Sequence, residues 1–230
     1  MKTIGLIGGM SWESSLEYYR IINEEVKARL GGLHSADCLM YSFDFAEIET
    51  LQMQGRWDIA EARLIDVARR LESAGAACIV ICTNTMHKMA DAVQDAIDIP
   101  LIHIADATAQ VIRKQGYQTV GLLGTVFTME ESFYKGRLVG RFDLRVLSPD
   151  ANGRALVNRV IYEELVKGII NPESRQAYVR IIDDLAGRGA QGIILGCTEI
   201  GLLIRPEDSR IPVFDTTYIH ALAAVDFAFT

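Results

Sequence analysis

Short apolar runs alternate with longer amphipathic segments along the chain. The short runs are rich in Val, Ile and Leu, which is typical of strands buried on both faces. Residues 56–74 place apolar side chains at helical spacing, and residues 151–170 and 173–187 predict two more helices, separated by Asn171-Pro172. This alternation predicts an α/β fold of mostly parallel sheets flanked by helices. The predicted strands are Thr3–Ile7, Cys38–Phe43, Cys78–Ile81, Leu101–Ile104, Thr119–Leu123, Leu144–Leu147, Gly192–Leu195 and Pro212–Phe214.

An internal repeat divides this pattern into two halves. A duplicated unit predicts two similar lobes related by a pseudo-two-fold axis. We expect the first lobe to comprise residues 1–99 and 210–230, and the second lobe to comprise residues 100–209. Three segments return in the same order, at offsets of 112 to 116 residues: Thr3–Gly8 as Thr119–Gly124, Leu71–Thr83 as Leu185–Cys197, and Ile99–Leu101 as Ile211–Val213.

The repeat also predicts where a ligand binds. Thr83 and Cys197 are equivalent in the repeat, and each ends a predicted strand. Ligands of parallel sheets bind at the carboxyl ends of the strands. We therefore expect the two side chains to face each other across the cleft between the lobes. The predicted active site then has the Thr83 hydroxyl on one side and the Cys197 thiol on the other.

The net charge of the chain indicates which classes of binding partner to expect. The chain has 230 residues, with 23 Lys and Arg against 30 Asp and Glu, and a net charge of −7. An acidic chain without a basic run is not expected to bind nucleic acid or an anionic membrane. No apolar stretch reaches the roughly 20 residues that span a bilayer, and the N-terminus lacks the apolar region of a signal peptide. Four cysteines without disulfide spacing indicate a cytoplasmic protein with free thiols.

Three small or polar turns follow predicted strands. The first, Gly8-Gly9-Met10-Ser11, presents backbone N–H groups to an anion at a helix N-terminus, or is simply a tight strand–helix turn. The turns 82–87 and 196–199 are equivalent in the repeat, and their Thr and Asn side chains suit a bound carboxylate. Cys197 beside a helix N-terminus is expected to have a lowered thiol pKa. The four histidines lack metal-ligand spacing, so no metal site is predicted.

These residues resemble the aspartate/glutamate racemase family over nearly the whole chain. The resemblance implies two similar α/β lobes with the active site between them, racemisation without a cofactor, and a homodimer. It rests on the opening Ile4–Met10, the Thr-Asn-Thr-Met-His turn at 83–87, Thr125 to Thr128, the segment Ile161–Gly168, and the Gly-Cys-Thr-Glu turn at 196–199.

In this family two cysteines remove and return the α-proton from opposite faces of the substrate. The second resembles Cys197, whereas Thr83 stands where the first is expected. The resemblance implies that Cys197 abstracts the α-proton of L-aspartate, L-glutamate or a similar small L-amino acid, and that reprotonation comes from the Thr83 side. The family's arginine for the distal carboxylate has no clear match; Gln52 and Arg56 lie nearby in the sequence.

The resemblance also implies roles for the residues around the substrate. Lys167 is expected to meet a carboxylate, and Glu199 the ammonium group. His87 either contacts the residues that bind the substrate or caps a helix, and the sequence does not decide between these two roles. The implied substrate-binding residues are Met10, Gln52, Asn84, Thr85, Thr125, Thr128, Lys167, Thr198 and Glu199, with Met10, Asn84, Thr85 and Thr198 around the α-carboxylate.

Two other functions fit the same residues. A decarboxylase of the arylmalonate type keeps only the second cysteine and protonates one face after loss of carbon dioxide. A non-catalytic amino-acid binder keeps the two lobes without the chemistry. The opening Gly-Gly-Met and Lys167 favour the racemase.

Overall fold

The computed structural model describes residues 1–230 and contains seven strands, all in parallel pairings. The strands are β1 Ile4–Gly8, β2 Cys38–Ser42, β3 Cys78–Ile81, β4 Thr119–Gly124, β5 Arg145–Leu147, β6 Ile193–Gly196 and β7 Val213–Asp215. The α-helices are α1 Trp12–Leu30, α2 Phe45–Met53, α3 Trp57–Ser73, α4 Ala90–Asp95, α5 Ile104–Lys114, α6 Val126–Glu130, α7 Ser132–Phe142, α8 Ala151–Glu163, α9 Pro172–Gly187, α10 Ile200–Leu203 and α11 Thr216–Ala228.

The strands form two sheets with the same internal order. The first sheet is ordered β2-β1-β3, and the second is ordered β5-β4-β6-β7. Ile7 pairs with Ile81 in the first sheet, and the residues equivalent to them in the repeat, Leu123 and Leu195, pair in the second. The α/β class with parallel sheets flanked by helices is therefore confirmed.

Two predicted elements are shorter than their sequence patterns. Residues 101–104 contribute only a bridge between Leu101 and Ile79, because α5 begins at Ile104 and turns the chain away. The helix predicted over 151–170 ends at Glu163, and a 3₁₀ turn, Leu165–Lys167, follows it. That turn closes on Gly168 at φ +70°, a left-handed conformation that glycine adopts without strain.

The chain forms two compact units: residues 1–103 with 220–230, and residues 104–219. These ranges differ from the predicted lobes mainly at residues 210–219, which belong to the second unit. The reason is β7, which pairs with β6 and so completes the second sheet. From His220 onward α11 packs on the first sheet, where Ala221 and Val225 join the core around Leu6.

Apolar stripes on the helices cover the sheets, as the periodicity predicts. On α3 the buried residues are those of the predicted stripe, Ala60, Leu64, Val67, Ala68 and Leu71. They pack with Ile7, Ile79 and Ile81, so one helix face closes one side of the first sheet. None of the helices combines the length and the apolar character needed to cross a lipid bilayer.

A buried histidine joins the C-terminal helix to the rest of the first unit. His220 is fully buried; its Nε2 lies 2.6 Å from the Ile102 carbonyl oxygen, and its Nδ1 lies 2.8 Å from the Tyr18 hydroxyl. A carbonyl only accepts, so Nε2 carries the proton and the neutral ring accepts at Nδ1 from Tyr18. Burial lowers the pKa of His220 to about 4, against an ordinary value of 6.5.

We expect His220 to make the fold acid-sensitive. The unfolded chain takes up its proton near pH 6.5 and the folded chain only near pH 4, so stability falls as the pH drops through this window. The full loss is about 3 kcal/mol. Urea unfolding of the protein and of His220→Gln between pH 7.5 and 4 measures it. The variant should lose part of the pH dependence, and replacing the exposed His34 should not. Identical pH slopes in the protein and His220→Gln would contradict the assignment.

Candidate active site

The first polar turn of the first unit is held by internal hydrogen bonds. The Gly9 N–H donates to Ser15 Oγ at 2.8 Å, and the Ser15 hydroxyl donates to the Ser11 carbonyl at 2.9 Å. Gly9 has φ +82°, and a Cβ there would lie 2.2 Å from the Phe43 carbonyl oxygen. Close packing therefore explains the glycine, and the Gly9 N–H expected to approach an anion is already bonded to Ser15.

Met10, expected near the substrate carboxylate, has its side chain in the core. It is 4% exposed and belongs to the same buried cluster as Ile48 and Met86. Gln52 is also buried, and its Nε2 lies 3.1 Å from Met86 Sδ. Met10 and Gln52 thus pack in one cluster of the first unit. Arg56 is exposed and bonds both oxygens of Asp58, at 3.1 and 3.0 Å.

The second polar turn of this unit follows β3 and carries Thr83, Asn84 and Thr85. All three are nearly buried, with 9%, 1% and 5% of their surface exposed. The Thr83 N–H donates to the Ile81 carbonyl at 2.8 Å, and its own carbonyl lies 2.7 Å from His87 Nδ1. The carbonyl accepts, so His87 Nδ1 carries a proton. The hydrogen bond from His87 thus stabilises the backbone of the turn at Thr83.

In the second unit, Cys197, Thr198 and Glu199 form a hydrogen-bonded cluster directly after β6. Both the Cys197 thiol and the Thr198 hydroxyl lie 2.9 Å from Glu199 Oε2. Cys197 is 9% exposed and Glu199 is 2% exposed. The Cys197 S–H and the Thr198 O–H therefore donate to the same carboxylate oxygen. Glu199 Oε2 thus binds the thiol. The contact of Glu199 with a substrate ammonium group stays a prediction.

The sign of the predicted pKa shift on Cys197 is wrong. Burial, followed by the charge of Glu199 and its hydrogen bond with the thiol, raises the pKa of Cys197 well above its usual 9.0. The backbone N–H groups of Thr198 and Glu199 act in the opposite direction but are outweighed. The helix that follows, α10, has only four residues, so its dipole is small.

Thr125 and Thr128 lie together after β4, the strand next to β6. Their hydroxyl oxygens are 3.2 Å apart, and Thr125 caps α6 by accepting the Thr128 N–H at 3.3 Å. Gly124 pairs with Gly196, and a Cβ on Gly124 would lie 2.6 Å from the Gly196 carbonyl oxygen. Glycine at this position therefore lets the two strand ends that carry Thr125 and Cys197 approach closely.

Lys167 belongs to the 3₁₀ turn that contacts α10, the helix after the Cys197 turn. It is exposed at the end of the 3₁₀ turn that follows α8, where its N–H donates to the Glu164 carbonyl at 3.0 Å. The structure therefore fixes its backbone and leaves its ammonium group at the surface of the second unit.

Some neighbours of the site carry no sequence signal. Tyr178 on α9 is buried, and its pKa is raised by burial and by the nearby Cys197 and Glu164. In the sequence it reads as one more residue of an apolar helix stripe. Ser14 on α1 donates to the Cys82 carbonyl at 3.2 Å and so ties the first polar turn to the second. Asn158 on α8 likewise accepts the Val126 N–H at 2.9 Å and anchors α6.

The two units thus offer different chemistry at equivalent positions of the repeat. The first unit carries the Thr83 hydroxyl, the Asn84 amide and the Thr85 hydroxyl on the turn that His87 stabilises. The second presents a buried thiol in contact with a carboxylate, which is a group able to exchange protons. Neither Thr83 nor Cys197 belongs to a serine-hydrolase arrangement, because no histidine bonds either side chain.

Known proteins match this chain over most of its length. The sequence profile of the Asp/Glu/hydantoin racemase family matches residues 7–224. A crystal structure from Yersinia pestis with a provisional Asp/Glu racemase assignment is 56% identical, with 100% of both chains covered and a TM-score of 0.94. An aspartate racemase homologue from Pyrococcus horikoshii OT3 is 35% identical, with 100% of both chains covered and a TM-score of 0.87.

A curated relative matches less closely. The broad specificity amino-acid racemase RacX of Bacillus subtilis (strain 168) is 25% identical over 175 residues, which are 73% of this chain and 72% of RacX. The matches confirm the resemblance carried by the motifs: the chain belongs to the Asp/Glu/hydantoin racemase family.

Proposed function

We propose that this protein is an amino-acid racemase that needs no pyridoxal phosphate and acts on L-aspartate, L-glutamate or a similar small L-amino acid. Cys197 takes the α-proton, and the planar intermediate is reprotonated from the Thr83 side. The observation that carries the proposal is the contact between the Cys197 thiol and the Glu199 carboxylate, at 2.9 Å. A thiol with a proton acceptor beside it is equipped for proton transfer.

In this proposal the substrate binds beside Cys197, at the carboxyl end of β6. Cys197 removes the α-proton, and the electron pair of the Cα–H bond passes into the carboxylate. Hydrogen-bond donors near that carboxylate stabilise the developing charge. The residues proposed to surround the substrate are Met10, Gln52, Asn84, Thr85, Thr125, Thr128, Lys167, Thr198 and Glu199.

The names of the relatives guide the choice of substrate. One is an aspartate racemase homologue, and RacX is described as a racemase of broad specificity. Gln52 and Met86 form a buried pair on the first unit, and Arg56 is held by Asp58. This loop therefore offers the Gln52 amide and no free arginine side chain. We infer a small substrate whose side-chain carboxylate is not bound by an arginine of this loop.

We also propose that the protein is cytoplasmic and works as a homodimer. Four large apolar side chains are exposed on the first unit along α1 and the edge strand β2. A surface of this kind suits a second copy of the chain. The four residues are Trp12, Leu16, Tyr19 and Met40, at 65%, 53%, 48% and 39% exposure.

Deuterium exchange at Cα tests the proposed function. We expect incubation with L-aspartate or L-glutamate in deuterium oxide to replace the α-hydrogen of the amino acid by deuterium. NMR measures this exchange. The control is the same incubation with glycolate, which lacks the ammonium group. Binding without exchange for a panel of L- and D-amino acids would identify a binding protein. Release of carbon dioxide from an arylmalonate, without exchange of amino acids, would identify a decarboxylase.

A further inference from the structure

Three histidine side chains of the first unit are buried together beside the turn that carries Thr83. His87, His103 and His220 are 3%, 7% and 0% exposed. The centroid of the His87 ring lies 4.6 Å from that of His103 and 5.6 Å from that of His220. Three of the four histidines of the chain therefore pack against one another at one place in the core.

Hydrogen bonds attach the far side of this cluster to two other segments. His220 Nε2 donates to the Ile102 carbonyl at 2.6 Å, and His220 Nδ1 accepts from the Tyr18 hydroxyl at 2.8 Å. His103 follows Ile102 directly in the chain, so the same bond also fixes the backbone next to His103. The ring of His87 thus packs on two rings whose positions are set by α1, α11 and residues 102–103.

The near side of the cluster fixes the backbone of Thr83. The Thr83 N–H donates to the Ile81 carbonyl at 2.8 Å, and the Thr83 carbonyl accepts from His87 Nδ1 at 2.7 Å. A β-branched side chain has few accessible rotamers, so a fixed backbone also limits where its hydroxyl can point. The direction of the Thr83 hydroxyl therefore depends on the position of the His87 ring.

We propose that His87, His103 and His220 are positioning residues for the Thr83 side of the site. His87 holds the Thr83 carbonyl, and the other two rings hold His87 in place. The proposal rests on the proposed function, because that function assigns reprotonation to the Thr83 side. It goes beyond that function by making one face of the reaction depend on a buried cluster that extends to the C-terminal helix.

The second unit lacks such a ring at the equivalent position. At the offset of 114 residues that relates Thr83 to Cys197, His87 corresponds to Gly201. A Cβ on Gly201 would lie 2.6 Å from Asp215 Oδ2, so this position has no room for an imidazole. The turn at Cys197 is therefore held in a different way, and the histidine cluster serves the Thr83 turn.

Loss of the His87 donor should consequently affect one face of the substrate. L-aspartate can exchange its α-hydrogen at Cys197 alone, whereas inversion to D-aspartate also needs the Thr83 side. We expect His87→Leu to lower inversion about tenfold and to lower L-aspartate exchange by less than about twofold. NMR in deuterium oxide measures the exchange, and chiral chromatography measures the D-aspartate that forms.

Two further variants of His87 test the position of the donor. Asparagine carries its amide nitrogen at the δ position, where histidine has Nδ1, and glutamine carries it one bond further out. His87→Asn should therefore keep most of the inversion, and His87→Gln should lose it as His87→Leu does. His103→Leu and His220→Gln should lower inversion by a smaller factor. Replacing the exposed His34 by asparagine is the matched control.

The position of Thr83 can also be measured without substrate. In protein labelled with ¹³C-methyl threonine, the Thr83 signal is the one that is missing from the spectrum of Thr83→Val. His87→Leu and His87→Gln should shift this signal, and His87→Asn should leave it close to its original position. The methyl signal of Thr50 on α2 is the reference, and circular dichroism checks the fold of each variant.

The outcomes separate this proposal from the racemase proposal. Equal losses of inversion and of L-aspartate exchange in His87→Leu, or equal inversion in the Asn and Gln variants, overturn the positioning role. Unchanged inversion in both His103→Leu and His220→Gln overturns the role of the cluster. If the unaltered protein inverts no amino acid, the racemase proposal fails and the methyl spectra decide: a Thr83 signal that shifts with Leu but not with Asn supports the positioning role, and any other pattern overturns it.

Discussion

Replacing Cys197 by serine is expected to reduce α-proton exchange of L-aspartate by at least about 10³-fold, or about 4 kcal/mol of barrier. Serine is close in size to cysteine and can donate to Glu199 as the thiol does at 2.9 Å. The fold should therefore be preserved. A hydroxyl is a much weaker acid than a thiol, so the substitution removes the base that we propose takes the α-proton. NMR in deuterium oxide measures the rate.

The other thiols provide controls for this change. Cys78 is fully buried on β3, and burial raises its pKa to about 11. Cys38 is half-buried on β2. Replacing either by alanine should affect mainly stability, by about 1 kcal/mol in unfolding experiments. If Cys197→Ser retains full turnover, Cys197 is not the base.

The second large effect concerns the two enantiomers. We expect deuterium exchange into L-aspartate to be at least about 10²-fold faster than exchange into D-aspartate. In the proposed mechanism the D-form loses its proton to the Thr83 side, and a hydroxyl is a poor base. His87 does not activate it, because Nδ1 bonds the Thr83 carbonyl at 2.7 Å. Exchange measures this difference directly, since L-substrate can lose and regain its proton at Cys197 without inversion.

Inversion itself needs a different comparison. The two enantiomers have equal free energy, so kcat/KM for inversion must be the same in both directions. Thr83→Cys supplies a thiol on the second face and should raise both D-aspartate exchange and inversion by about 10²-fold. Thr83→Val, which is nearly the same size, should lower the remaining inversion. Equal exchange of both enantiomers in the unaltered protein would mean that the Thr83 side holds a competent base.

Much of the architecture follows from local sequence patterns. Buried parallel strands need continuous apolar runs and their helices need apolar stripes, so both leave a period that is visible in the sequence. The repeat adds the register: Ile7 with Ile81 and Leu123 with Leu195 are equivalent pairs. The motifs at 83–87 and 196–199 are contiguous, which is why the family could be recognised from the sequence. The roles of the individual site residues remain predictions.

The chemistry of the thiol was not predictable in this way. Position beside a helix N-terminus suggests a lowered pKa for Cys197, but the sign depends on burial and on the direction of the Glu199 side chain two residues later. A side-chain direction within a turn is decided by packing around it, here by the Thr198 hydroxyl on the same oxygen. The same limit applies to Gly9, whose glycine is required by the approach of Phe43 rather than by an anion.

The sequence by itself determined the α/β class, the repeat and the family, because each is written in contiguous residues or in a regular period. Only the tertiary structure decided which distant residues meet. His220 reaches Tyr18 and Ile102, more than 100 residues away in the chain, because α11 returns to the first sheet. Residues 210–219 stay with the second unit because β7 pairs with β6. Contacts of this kind depend on how whole elements pack, and no local pattern records them.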